Sequence, residues 1–135
     1  MHWVESDFFQ QTFEETLALL EEARNHIDMA SHGGLDSLPT EVMLETTRDL
    51  SYLTSQLTGV MSLLLLHKSV SEGGLAEEDF PIRSKELVAE LKEIEEALAG
   101  PHGQLAPTVQ SLIERGDRLS QRVHRIQDML KAGAA

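Results

Sequence analysis

Between Asp49 and Lys68 the chain carries no charged residue, although Asp, Glu, Lys and Arg make up 25% of the whole. The stretch reads LSYLTSQLTGVMSLLLLH. Leu50, Leu53, Leu57, Val60 and Leu64 alternate steps of three and four, the spacing of a seam along one side of a helix. Met61, Leu63, Leu65 and Leu66 add apolar surface on other sides, more than one neighbouring helix can cover. Ser51, Ser55, Gly59 and Ser62 form a further line of small residues, where a partner backbone can come close. The pattern predicts a central helix enclosed by its own chain and by a second copy of it. Leu50, Leu53, Leu57, Val60, Met61, Leu64 and Leu65 are then the expected core or dimer interface.

A bilayer span is a poor alternative, because spanning takes roughly 20 mainly apolar residues. The leucine-rich run is shorter and follows Ser51, Tyr52, Thr54, Ser55, Gln56 and Thr58. Glu5 and Asp7 come early with no basic region ahead of an apolar run, so no secretory signal is expected. The expectation is a cytoplasmic protein. At 135 residues the chain suits one domain over 1–135. The absence of cysteine removes disulfides, thiolate metal sites and thiol nucleophiles. A net charge of -12 argues against nucleic acid, which requires clustered Lys and Arg. Abundant Leu, Glu and Ala predict an all-α fold.

Four helices follow from the punctuation. The first starts near Ser6 or Asp7, either of which can cap free backbone N–H groups. It presents Phe9, Phe13, Leu17, Leu20 and Ile27 to the core and stops at Gly33-Gly34. The second opens with Leu38-Pro39-Thr40-Glu41 and meets no breaker but Gly59 until Gly73-Gly74, so it spans roughly 34 residues and about 50 Å. The third enters at Pro81 and carries Leu87, Leu91, Ile94 and Leu98. A loop from Gly100 to Pro107 leads to the fourth, with Val109, Leu112, Leu119, Val123, Ile126 and Leu130 in register. Short glycine-rich connections make this an antiparallel helical bundle, with the second helix long and central and a dimer expected.

Little in the sequence supports catalysis. Glu22 and His26 share a helix face, yet the paired Glu-x-x-His motifs of di-metal bundles are missing, so no metal or other cofactor is expected. The serines lack a strand-to-helix nucleophile turn. His67 invites comparison with histidine phosphotransfer bundles, which display a histidine on a long helix. Lys68 is directly adjacent here, rather than three residues on, and no glycine is next to His67. A phosphorelay through His67 is the alternative function. Charge is unevenly spread: from Met1 to His32 seven acids face Arg24 alone, whereas beyond Gly103 four arginines and Lys131 face Glu114, Asp117 and Asp128. Arg115, Arg118, Arg122 and Arg125 form one stripe on the fourth helix. They are expected either to pair with Glu86, Glu90 and Glu93 of the third helix or to dock an acidic partner.

Phe8-Phe9, ETLALLEEA from Glu15 to Ala23, and above all LTSQLTGVMSLLLLHKSVSEGGL from Leu53 to Leu75 resemble the regulator of CtrA degradation (RcdA) family, the DUF1465 domain. LIERGDRLSQRVHRIQDML, from Leu112 to Leu130, extends the likeness. The resemblance implies a helical bundle that forms a homodimer and has no enzymatic activity. It also implies an adaptor that works with protease components and protein cargo, delivering cell-cycle regulators to the ClpXP protease.

Overall fold

The structure is a computed structural model that describes residues 3–29, 39–99 and 105–134, the side chains of 131–134 excepted. Gly33-Gly34, His2, His32, His102 and loop residues 100–104 lie outside the described residues. A 3-10 turn, Trp3–Glu5, precedes four helices: α1 (Asp7–Met29), α2 (Thr40–Ser71), α3 (Phe80–Leu98) and α4 (Pro107–Ala134). The boundaries follow the local chemistry. Ser6 Oγ accepts the Phe9 N–H at 3.2 Å and caps α1. Gly73, at φ 80°, closes α2. Its N–H reaches the Val70 carbonyl at 3.1 Å and the Gly74 N–H reaches Ser69 at 2.8 Å, the bond pair of a Schellman motif. Pro81 lies in the first turn of α3.

α2 is 32 residues long and packs against each of the other three helices. Its buried residues form three columns, each with a seven-residue step. Leu50, Leu57 and Leu64 make one; Thr46, Leu53, Val60 and His67 make the second; Asp49, Gln56 and Leu63 make the third. Phe9 of α1 clusters with Val60, Leu63 and Leu64, whereas Leu19 and Ala23 cluster with Leu50, Leu53 and Leu57, so α1 and α2 are antiparallel. α3 is antiparallel to α2 as well, because Phe80 meets His67 and Leu91 meets Gly59. α4 runs parallel to α2, with Gly116 beside Leu53 and Gln127 beside His67. Burying a side chain such as leucine stabilises by about 1.5–3 kcal/mol relative to exposure, and the six apolar members of these columns lie at the centre of the fold.

One expectation is corrected. Leu17 is 42% exposed, because the buried face of α1 runs Phe9, Thr12, Thr16, Leu19 and Ala23. Thr16 is accommodated there by donating its hydroxyl to the Thr12 carbonyl at 2.7 Å. Within the chain the small-residue line of α2 lies largely outward: Ser51 and Ser55 are exposed, and a Cβ on Gly59 would lie 3.2 Å from the Leu91 side chain of α3. The closest approach is at Gly116, where a Cβ would fall 2.4 Å from Leu53 Cδ1.

Alanine at these two glycines should therefore give different results. Each change adds helix propensity of about 1 kcal/mol, but overpacking a core costs about 1–3 kcal/mol. Gly116→Ala is expected to lower the urea midpoint, and Gly59→Ala to leave it unchanged or raise it. The reverse order would contradict the packing.

Candidate docking face and a buried polar network

The arginine stripe of α4 is built against α1. Arg115 forks onto Glu22, with one nitrogen 2.6 Å from Oε2 and the other 3.4 Å from Oε1. One helical turn farther on from Arg118, Arg122 meets Glu15 at 2.7 Å and lies over the Phe8 ring at 5.9 Å. The expected pairing with Glu86, Glu90 and Glu93 is absent, and those three carboxylates are exposed. The reason is geometric: the Arg115 and Arg122 side of α4 faces α1, while a different side meets α3 through polar side chains. Arg118 and Arg125 are exposed and make no ion pair among the described residues. Exposed pairs such as Arg115–Glu22 contribute only about 0.2–1 kcal/mol, so they orient α1 against α4 more than they stabilise it. The Glu22 carboxylate is thereby engaged by Arg115 rather than offered with His26 to a metal.

Where α4 meets α3, Glu95 Oε1 receives both the Ser120 hydroxyl and His124 Nε2, the latter at 2.6 Å. The three residues needed for nucleophilic catalysis are present in type but not in order. The carboxylate lies between hydroxyl and imidazole, so the imidazole does not contact the serine oxygen.

His67 is a structural group. It is 2% exposed and lies against the rings of Trp3 and Phe80, with centroids 5.0 and 4.7 Å away. Its Nε2 meets Gln127 Oε1, and the Gln127 amide donates to Ser84 Oγ at 2.7 Å. This line of buried bonds joins α2, α4 and α3 in one register. A phosphoryl carrier needs an imidazole nitrogen in water. Here Nε2 is bonded and Nδ1 is buried without a partner among the described residues, a geometry that counts against the phosphorelay alternative. Asp49 was legible only as the edge of the uncharged stretch, yet it is fully buried and accepts from Arg48 at 3.1 Å.

The expected interface residues divide into two groups. Leu50, Leu53, Leu57, Val60 and Leu64 are inside the single chain; Met61 is half-buried and Leu65 is 48% exposed. Leu44 and Tyr52 are also exposed. Ser51, Ser55, Thr58 and Leu65 share the outer side of α2, which is uncharged over this length.

The profile of a family described as "Protein of unknown function (DUF1465)" matches residues 1–135. Among solved structures the chain is similar to RcdA from Caulobacter crescentus CB15, at 27% identity and a TM-score of 0.64. That likeness covers 90% of this chain and 89% of the other. Among curated proteins none matches. Among the described residues no helix is long and apolar enough to cross a membrane.

Burial holds the His67 imidazole below its ordinary pKa of 6.5, a shift that the Gln127 bond only partly offsets. The folded state then binds this proton less readily than the unfolded chain. The resulting stability is complete above the unfolded value and is lost as pH falls through the lower folded value. His67→Ala is expected to be less stable than the parent at about pH 8, yet to lose less between about pH 7.5 and 5.5. Identical pH dependence of the two urea midpoints would contradict this.

Proposed function

Because this chain belongs to the DUF1465 family and is RcdA-like in fold, we propose that it is a non-enzymatic adaptor, helping to deliver cell-cycle regulators to the ClpXP protease in the cytoplasm. The observation that carries the reading is the pair of exposed arginines, Arg118 and Arg125, without ion pairs in a protein of net charge -12. Folding does not require them, since their neighbours Arg115 and Arg122 already join α4 to α1. Guanidinium groups spaced along a helix suit forked contacts with carboxylates. The proposed protein partner therefore presents an acidic segment to α4.

A second copy of the chain is the other proposed partner. The uncharged outer side of α2, with Ser51, Ser55, Thr58 and Leu65, is the surface offered for it. Leu65 and Met61 remain candidates from the expected interface, whereas the seam leucines act through the core.

Light scattering at micromolar concentration should give about twice the 15.0 kDa chain mass. Leu65→Asp should return the monomer with its helix content intact. A monomer at every concentration would end the dimer proposal. For the adaptor, the test is the half-life of a cell-cycle regulator in a reconstituted ClpXP reaction. The wild-type protein should shorten it. Arg118→Glu with Arg125→Glu should abolish that effect while shifting stability by only about 0.5 kcal/mol per site. No effect of the wild type would refute the adaptor reading, and full activity of the double variant would remove the arginines from it.

A further inference from the structure

Two ion pairs join α1 to α4 at a seven-residue step on each helix, Glu15 with Arg122 and Glu22 with Arg115. Because these pairs run in opposite senses along the two helices, the rung between them sets Ala18 and Leu19 opposite Leu119 and Arg118. At that rung α4 offers a guanidinium, but α1 offers the methyl group of Ala18 instead of an acid. A notch of about 260 Å³ lies there, lined by Ala18, Leu19, Arg118 and Leu119 between the flanking pairs. Leu19 and Leu119 are buried beneath it, whereas Ala18 and Arg118 are exposed.

Neither flanking acid is free to serve Arg118. Glu22 accepts from Arg115 on both oxygens. Glu15 accepts from Arg122 on Oε2 at 2.7 Å and from Gln11 on Oε1 at 3.3 Å. Glu114 and Asp117 border the opposite flank of α4, toward α3. Arg125 repeats Arg118 seven residues on, about 10 Å along the same side of the helix, and it too makes no ion pair among the described residues. That step matches carboxylates at positions i and i+7 of a second helix lying along α4. An extended segment rises about 3.3 Å per residue, so acids three apart would span the distance but point to opposite faces. Phe8, 47% exposed beside Arg122, adds apolar surface to the same groove.

We propose that the notch at Ala18 receives a carboxylate from an acidic helix of a protein partner. That side chain completes the missing rung by pairing with Arg118, its methylenes lying over Ala18, Leu19 and Leu119. A second acid seven residues away meets Arg125. The inference rests on the reading of the α4 arginines as a docking face. It deepens that reading by fixing the form of the acidic segment and the α1 residue that admits it.

The test uses the full chain, isotopically labelled, and a blocked alanine-glutamine helix of about 20 residues with two glutamates at i and i+7. Saturable amide shifts at Ala18, Leu19, Arg118 and Arg125 are expected, with a Kd of about 1 mM or tighter. The same peptide with its glutamates at i and i+5, on different sides of the helix, should bind about two- to fivefold more weakly. Ala18→Glu supplies the missing acid from within and should block the peptide, at an exposed position where glutamate suits a helix. Arg118→Gln should weaken binding as well. Acetate at the same carboxylate concentration should give no saturable shift. Absence of saturable shifts with the peptide, equal affinity of the two peptides, affinity unchanged in both variants, or saturation of the same amides by acetate would overturn the proposal. If Ala18→Glu left peptide binding intact while Arg118→Glu with Arg125→Glu still abolished the effect on ClpXP, the notch alone would fall and the docking face would stand.

Discussion

Everything in this fold depends on closing the uncharged middle of α2 from three directions. A helix can bury one stripe against one neighbour, but three columns at a seven-residue step need neighbours on both flanks and along the centre. α1 covers the Leu50–Leu57–Leu64 side, and α4 faces the column of Leu53 and His67. α3 closes on Gly59 through Leu91. Because these contacts come from within one chain, the leucine seam is satisfied in the protomer. On α2 itself, only the outer side is left uncovered by the chain's own helices.

The sequence made the hydrophobic half of this arrangement readable. Leu50, Leu53, Leu57, Val60 and Leu64 declared themselves by spacing, and all are buried. The column of Asp49, Gln56 and Leu63 did not, because two of its three members are polar and a hydrophobic pattern passes over them. The same blindness affected α1, where Thr12 and Thr16 occupy core positions and Leu17 does not. Gly116 was silent for a related reason: only a neighbour's position reveals what a missing Cβ makes possible. Pairing of the arginine stripe was legible as a need for acids but not as a choice between them. That choice depends on how α4 is rotated against α1 and α3, which no single helix encodes.

Polar contacts supply what leucines cannot. Apolar columns with a regular step can slide by a turn at modest cost, whereas His67, Gln127 and Ser84 fit in one register only. Arg115 and Arg122 on Glu22 and Glu15 do the same for α1 against α4. The protein's chemistry is thus largely used up in positioning its own helices. Among the described residues, two guanidinium groups on α4 stay without ion pairs and the outer side of α2 stays uncharged. An RcdA-like fold is compatible with that division.

The most direct measurement is native-state hydrogen exchange across α2 at two protein concentrations. If the chain's own helices close the seam, amides from Leu53 to Leu64 exchange only through global unfolding. Their opening free energy then equals the stability from denaturant unfolding, and dilution leaves it unchanged. Exchange through local opening, or protection that disappears on dilution, would mean that something other than α1, α3 and α4 closes this helix.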